Sequence, residues 1–183
     1  MRNRKSKVKG PRVVWGDWDK ETVRHDWDDT PLGEVKLWAY RACFWFKLEG
    51  FVILRSSMKE YVVKKKGKVF YRYLKGSYHV VFDKPVKWSM NVHIMDWAAL
   101  ESGNENLKKW AIMQGIKESS TLRVSVKGKK PAPKIVFRFG SQDRQVKKFL
   151  ETRRFLLDFL KSSDSSESSA EEEDSLKRIA KGG

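Results

Sequence analysis

Two short segments rich in β-branched and aromatic residues, FVILRSS at 51–57 and SYHVVFD at 77–83, constrain the fold most strongly. Apolar runs of this length, bounded by glycine and proline, are typical of buried β-strands. Between them, Glu60–Lys65 and Lys68–Leu74 flank Lys66-Gly67, a dipeptide that favours a tight hairpin turn. The middle of the chain is therefore predicted to be antiparallel β-structure, with a strand break at Gly76.

Helical periodicity is clearest over Leu32–Leu48, where apolar residues recur every three or four positions until Gly50 ends the predicted helix. The same criterion predicts three further helices, over Met90–Ser102, Asn106–Ile116 and Ser141–Lys161, with caps at Ser89, Asn104 and Ser141.

The remaining strands are predicted near the two ends of this region. Arg12–Asp19 indicates a short strand, followed by an acidic loop that reaches Pro31. Thr121–Lys127 and Lys134–Phe139 alternate in polarity and predict a second hairpin around a Lys/Pro-rich turn. The expected fold is α+β, with two layers: a largely antiparallel sheet and helices on one face, followed by a C-terminal helix.

Composition divides the chain into three parts: a basic disordered arm at 1–11, a folded domain at 12–161, and a Ser/acidic disordered tail at 162–183. The formal charge is +16, and the tail holds six acidic and three basic residues, so residues 1–161 carry +19. A charge this large favours an anionic partner, with nucleic acid first and an anionic membrane surface second.

Several classes of protein are disfavoured. No apolar run is long enough for a membrane-spanning helix, and the basic N-terminus has no apolar signal-peptide region, so an intracellular, cytoplasmic protein without a membrane partner is expected. Cys43 is the only cysteine, and the three histidines are widely spaced. The sequence therefore predicts no intrachain disulfide and no zinc site.

Three strands carry polar residues at period two, which places those residues on one face of each strand. Asp17 and Asp19 would share a face, and paired carboxylates are typical ligands of Mg²⁺ or Mn²⁺, although an acidic loop is the alternative. Ser77 and His79 would share a face of a second strand, where they could donate hydrogen bonds to a phosphate. The alternative is that His79 is a core histidine whose hydrogen bonds are satisfied within the protein.

The third such strand bears only hydroxyls and cations on one face: Thr121, Arg123, Ser125 and Lys127. Because no carboxylate pairs with the cations, this face favours phosphate binding over ordinary salt bridging, with a solvated surface as the alternative.

The order of these motifs resembles that of the archaeo-eukaryotic primase superfamily, which includes the small primase-polymerases of plasmids and viruses. Its pattern is a strand ending in D-x-D, a helix, a strand, a strand with S-x-H, and a later basic strand. Asp17-Trp18-Asp19, Ser77-Tyr78-His79 and the Arg123 strand are similar to it, over about residues 12–140.

The resemblance implies a primase-like fold and a nucleotidyltransferase that uses nucleoside triphosphates in DNA replication. Asp17 and Asp19 would bind catalytic Mg²⁺ or Mn²⁺, while the incoming nucleotide would be contacted by Ser77, His79, Arg123, Ser125 and Lys127. The family also has a third carboxylate. Glu118 is the nearest candidate, with Asp96 and Asp83 as alternatives.

The central hairpin interleaves cations with aromatics, a composition suited to phosphate contacts and base stacking. Two basic loops or ribbons are predicted to bind single-stranded DNA or a primed template, through Lys59, Lys64, Lys65, Lys66, Lys68, Arg72 and Lys75 in the hairpin and Lys129 and Lys130 in the later turn. A solvated basic ribbon is the alternative for the hairpin, and the acidic tail could bind replication proteins.

Two functions remain open from the sequence. One is a primase-polymerase acting on a single-stranded template with a divalent metal. The other is a non-catalytic single-stranded DNA-binding protein on a degenerate primase-like fold.

Overall fold

The structure, a computed structural model, describes residues 19–127 and 130–160, with side chains except at residues 64–65 and 70–73. The basic arm, most of the predicted first strand and the tail lie outside these ranges. The elements in chain order are β1 (Thr22–Thr30), α1 (Leu32–Phe46), β2 (Gly50–Lys65), β3 (Lys68–Pro85), α2 (Trp88–Ser102), α3 (Glu105–Lys117), β4 (Lys134–Gly140) and a helix, α4, over residues 145–160.

The four strands form one antiparallel sheet in the order β1-β3-β2-β4. The predicted α+β class with a largely antiparallel sheet is therefore confirmed. The connection from β1 through α1 to β2 skips one place in the sheet, and β3 fills that place by pairing with both strands.

The prediction of an acidic loop before Pro31 is wrong, because this stretch forms β1. Val23, His25 and Trp27 alternate along it and are fully buried beneath the helices. Arg24 and Asp26 point to the opposite face, so the acidic composition belongs to one side of a strand.

The central hairpin is longer and more regular than predicted. Its turn at Lys66-Gly67 is confirmed, with φ of 49° and 77°, the left-handed geometry that tight hairpin turns require. The predicted break at Gly76 is wrong: Gly76 lies within β3, where the ring of Tyr78 covers it so closely that a Cβ would come within 2.7 Å. Residues 59–75 pair only with each other among the described strands, and we name this two-stranded extension the hairpin arm.

The helices α1, α2 and α3 cover one face of the sheet. Trp27, Phe51, Ile53 and Phe82 contribute to the main core there, together with residues of all three helices. The capping prediction for Asn104 is confirmed, since its side chain accepts a hydrogen bond from Leu107 N at 2.9 Å. The prediction for Ser89 is wrong, because α2 begins at Trp88.

The opposite face is covered in part by residues 121–126 and by α4. Leu122 and Val124 join Val146 and Phe149 in a second core against β2 and β3. The predicted hairpin between 121–127 and 134–139 is wrong, because β4 pairs with β2 instead. The alternation arises because Leu122 and Val124 face this second core, and not because the segment forms a ladder with β4.

The start of α4 is capped from another strand. Asp83, on β3, accepts hydrogen bonds from the backbone N–H groups of Asp143, Arg144 and Val146 at 2.9–3.0 Å and from the hydroxyl of Ser141 at 2.6 Å. The helix therefore starts at a long-range carboxylate, and Ser141, the predicted cap, supports that carboxylate instead.

Candidate active site

The pairing of β1 with β3 places Asp26 directly opposite His79. His79 Nε2 lies 3.5 Å from Asp26 Oδ1, on the sheet face away from α1–α3. Asp28 is two residues further along β1, and its charge acts on Asp26. The sheet thus brings a D-x-D sequence, Asp26-Trp27-Asp28, alongside Ser77-Tyr78-His79.

Both members of the central pair have strongly shifted pKa values. Burial raises the pKa of Asp26 to about 7, and the neighbouring Asp28 carboxylate adds to this rise, while Arg123 and Lys130 oppose it. Burial lowers the pKa of His79 to about 3, with Arg123 and Lys130 contributing. At neutral pH the imidazole is therefore uncharged and the carboxyl is close to half protonated, a state that an added cation would shift toward carboxylate.

His79 retains unused hydrogen-bonding capacity. Its Nδ1 is buried and has no hydrogen-bond partner among the described residues. A buried ring nitrogen without a partner costs free energy, so it marks a place where a ligand group could bind favourably.

Arg123 is a buried anchor beside this pair. Its guanidinium donates to the carbonyl oxygens of Ser56 at 2.9 Å and Pro131 at 2.8 Å, and also to the carbonyl of Ser125. Burial lowers the pKa of Arg123, and the charge of Asp26 partly reverses the effect. The side chain thus ties residues 123–131 to β2 and supplies positive charge next to Asp26.

Three serines connect the strand that carries His79 to β2. Ser57 Oγ donates to Ser77 Oγ at 2.9 Å, and Ser56 Oγ donates to the Ser77 carbonyl at 3.1 Å. The register of β2 shifts between Arg55 and Ser57, which lets both serines approach Ser77. Ser77, His79 and Arg123 are therefore brought together, as the sequence predicted.

The other two residues of the predicted basic strand lie differently. Ser125 is buried, and its hydroxyl donates to the Val126 carbonyl at 3.3 Å. Lys127 is exposed at a turn where its backbone exchanges two hydrogen bonds with Lys130.

A cleft of about 520 Å³ opens next to Arg123, and we name it the cationic cleft. Two of the three residues whose carbonyl oxygens accept from Arg123, Ser56 and Pro131, line it. Its charged side chains are all basic: Arg55, Lys59, Lys130 and Lys134. A concave surface with four cations and no carboxylate is suited to a polyanion.

Asp19 does not lie beside His79. Its buried carboxylate accepts hydrogen bonds from Glu21 N at 2.7 Å and from the N–H and hydroxyl of Thr22, and it forms ion pairs with Lys148 at 3.1 Å and Arg24 at 3.9 Å. Burial by itself would raise the pKa of Asp19, but these contacts outweigh it and lower the pKa. Both oxygens are engaged by the protein itself.

The expectation that Asp19 and His79 line one cleft is therefore corrected. Asp19 binds to Thr22, which precedes Asp26 by four strand residues, roughly 13 Å of β1. The acid opposite His79 is Asp26 instead. Asp17, the partner of Asp19 in the predicted motif, lies outside the described residues.

Glu118 also lies away from the Asp26–His79 pair. It ends α3, its side chain is 74% exposed, and it pairs with Lys20 at 3.6 Å, beside the Asp19 end of β1. Within residues 19–127 and 130–160, no three His, Cys, Asp or Glu side chains are grouped closely enough to hold a metal ion.

The hairpin arm continues the same face outward. Lys59 pairs in register with Lys75, next to the Ser57–Ser77 pair, and the Lys75 ammonium lies 5.8 Å from the centre of the Tyr61 ring. The Tyr61 hydroxyl donates to Asp29, which joins the arm to the end of β1. Lys66 and Lys68 are exposed near the tip; the strand positions of Lys64, Lys65 and Arg72 are described without their side chains, and Lys129 lies outside the described residues.

Sequence reasoning missed Asp26 and Asp28 although their signal was present. The residues TVRHDWDDT alternate with period two, with Val23, His25 and Trp27 on one side. The three aspartates in this stretch favour a loop by composition. Its period-two alternation instead indicates a strand, with Asp26 and Asp28 on one face.

Comparison with known proteins gives no relatives on which to rest an assignment. No protein-family model, no curated protein and no solved structure matches this chain. Among the helices of the described ranges, none is long and apolar enough to cross a membrane.

Proposed function

We propose that this chain is a metal-dependent nucleotidyltransferase of the primase-polymerase type that extends a nucleic-acid strand on a single-stranded template. The observation that carries the proposal is the in-register pairing of Asp26 on β1 with His79 on β3, with Asp28 and Ser77 two residues away on the same strands, next to the cationic cleft. This arrangement retains the D-x-D and S-x-H order of the primase resemblance, with the D-x-D moved from Asp17–Asp19 to Asp26–Asp28.

The carboxylate oxygens of Asp26 and Asp28 are ligands that suit a hard divalent cation. Two neighbouring carboxylates, one with a pKa raised to about 7, repel each other in the protein alone and would gain from Mg²⁺ or Mn²⁺ between them. Such an ion would neutralise charge on the triphosphate as the attacking hydroxyl displaces pyrophosphate.

The remaining residues have separable roles in the proposal. Ser77 and His79 offer a hydroxyl and a ring nitrogen to the phosphates of the incoming nucleoside triphosphate. Arg123 holds the loop at Pro131 and offsets negative charge, acting as a positioning residue because its guanidinium is engaged by carbonyl oxygens. The cationic cleft and the hairpin arm take the single-stranded or primed template, in an intracellular setting.

A second candidate is a non-catalytic protein that binds single strands. It is favoured by one observation: no third carboxylate lies with Asp26 and Asp28 among the described residues. Two-metal transfer depends on such ligands, and a site with fewer would bind metal weakly.

Incorporation of labelled nucleotides on a single-stranded template with Mg²⁺ or Mn²⁺ tests the proposal. Asp26→Asn should reduce incorporation about a hundredfold or more, since it removes a charge that acts at the reacting phosphates. His79→Ala should raise the nucleotide KM, because a phosphate contact is lost. Binding of single strands should persist in both variants.

Two controls locate the site. Asp96→Asn changes an exposed carboxylate on α2 and should leave incorporation unchanged. Asp19→Asn should also retain incorporation activity when the protein is folded. A folded Asp19→Asn variant that loses incorporation would indicate that the metal binds at Asp19 instead. Wild-type protein that incorporates nothing with either ion, yet binds single strands tightly, would decide for the binding protein.

A further inference from the structure

A second basic cleft lies between β4 and α4, on the same face of the sheet as the cationic cleft. Its volume is about 300 Å³, and it contains three arginines, Arg138 from β4 with Arg153 and Arg154 from α4, against one carboxylate, Asp158. Ile135 and Leu157 supply apolar walls. We name it the arginine cleft.

The Arg153 guanidinium is held in place at one nitrogen and lacks a hydrogen-bond partner at another. Its Nη2 donates to the Pro133 carbonyl at 2.5 Å, while its Nε is buried without a hydrogen-bond partner among the described residues. Burial lowers the pKa of Arg153, because removing the cation from water destabilises its charged form. A buried guanidinium N–H without an acceptor is stabilised when an anionic oxygen binds to it.

The arginine cleft and the cationic cleft adjoin one short loop. Arg123 donates to the carbonyl of Pro131 on the side of the cationic cleft, and Arg153 donates to the carbonyl of Pro133 on the other side. The loop is thereby fixed between the two clefts. From Lys134, in one cleft, to Arg138, in the other, β4 runs four residues, roughly 13 Å.

We propose that Arg138, Arg153 and Arg154 bind phosphodiester groups of the same single strand that occupies the cationic cleft. This inference rests on the proposed function only in that a strand lies in the cationic cleft. Planar guanidinium groups match phosphate oxygens in paired hydrogen bonds, and three arginine side chains line this one cleft. The walls formed by Ile135 and Leu157 suit a sugar or base, which favours a polynucleotide over a free inorganic anion.

The distance between Lys134 and Arg138, roughly 13 Å along β4, predicts how long a strand must be to contact both cations. A trinucleotide has two phosphodiesters and therefore a single phosphate-to-phosphate step, which is too short to join these two cations, whereas a strand of about twelve nucleotides can contact both.

The test compares the double variant Arg138→Gln, Arg154→Gln with a matched control, Lys108→Gln, Lys109→Gln, which removes two exposed cations from α3 on the other face of the sheet. Binding of labelled dT12 and dT3 is measured by fluorescence anisotropy over a range of salt, without metal or nucleotides. Both arginines are exposed, and unchanged thermal unfolding verifies the fold. Arg153 is kept because it holds the loop.

The expected result is a slope of log affinity against log salt that becomes shallower by about 1.4 for dT12, since each phosphate contact with a single strand contributes about 0.7. The control and dT3 should show little change. Arg138→Lys with Arg154→Lys should retain the slope but weaken binding, because lysine keeps the charge and loses the paired geometry.

Three results would overturn the inference. One is a dT12 slope equal to that of the control, and another is an equal loss with dT3. The third is displacement of dT12 by millimolar inorganic phosphate from wild type but not from the double variant, which would make this a small-anion site. A protein that incorporates no nucleotide yet shows the arginine-dependent slope would refute the proposed catalysis and retain this strand site.

Discussion

The substitution Asp26→Asn should remove the proposed nucleotide incorporation and stabilise the metal-free protein. The pKa of Asp26 is raised from 3.8 to about 7, so the folded state holds its proton more tightly than the unfolded state does. The associated stability is complete below about pH 4 and is lost as the pH rises to about 7. Asparagine resembles the protonated acid and has no such loss.

The magnitude follows from the shift. At about 1.36 kcal/mol for each pH unit, a rise from 3.8 to about 7 corresponds to about 4 kcal/mol at pH 8, as an upper value because Asp26 keeps some contact with water. For a domain of this size, that amounts to an increase of roughly 10 °C in Tm. At pH 4.5 the variant and the wild type should differ by only about 1 kcal/mol.

The assay is urea unfolding of both proteins in EDTA at pH 4.5 and pH 8, with Asp96→Asn as the exposed control. A second series adds Mn²⁺ at pH 8. Wild type should gain stability with the ion, by about 1.4 kcal/mol at ten times the dissociation constant, while Asp26→Asn should gain little.

Either of two results would refute the reasoning. If Asp26→Asn destabilises the protein at pH 8, the carboxylate is already well satisfied and needs no cation. If the difference between variant and wild type is independent of pH, Asp26 does not titrate between 4 and 7, and the burial argument fails.

Two further predictions concern stability. His25 is buried against Trp27 and Phe82 with its pKa lowered to about 3, so its burial should lower stability as the pH drops below 6.5. His25→Phe should remove this share of the pH dependence, leaving that of His79, and should gain about 2 kcal/mol relative to wild type at pH 5, measured by urea unfolding. A variant no better at pH 5 than at pH 7 would contradict it. Asp83→Ala should lower the free energy of unfolding by about 3 kcal/mol, because three backbone N–H groups at the start of α4 lose their acceptor. Ser141→Ala removes one contact that supports Asp83 and should lower it by less. Equal unfolding midpoints for the two variants would exclude the cap.

The fold was predictable wherever local periodicity decided it. The helix at Leu32–Phe46, the Lys66-Gly67 turn and the Asn104 cap all depend on residues close in sequence, and each is confirmed. The segment 121–127 alternates just as clearly, yet Leu122 and Val124 face a second core and the segment does not pair with β4. Alternation specifies two faces, and only tertiary packing selects the partner.

The site was predictable in its histidine half and not in its acidic half. Ser77 and His79 lie on the polar face of β3, as period two indicates. The acid beside them depends on the register between β1 and β3, which local sequence does not encode. Asp19 satisfied the expected motif equally well, and its engagement by Thr22 and Lys148 becomes visible only in three dimensions.

The place of β1 in the sheet also sets an order for assembly during synthesis. β1 precedes α1 and β2 in the chain, but its neighbour is β3, which leaves the ribosome after both. The β2–β3 hairpin can close in about 1–10 μs once its turn emerges, whereas β1 must wait for a long loop to close before any contact offsets the entropy lost. A growing chain therefore exposes Asp26 and Asp28 without His79 until β3 is complete, and we expect the proposed nucleotide site to be incomplete before that moment.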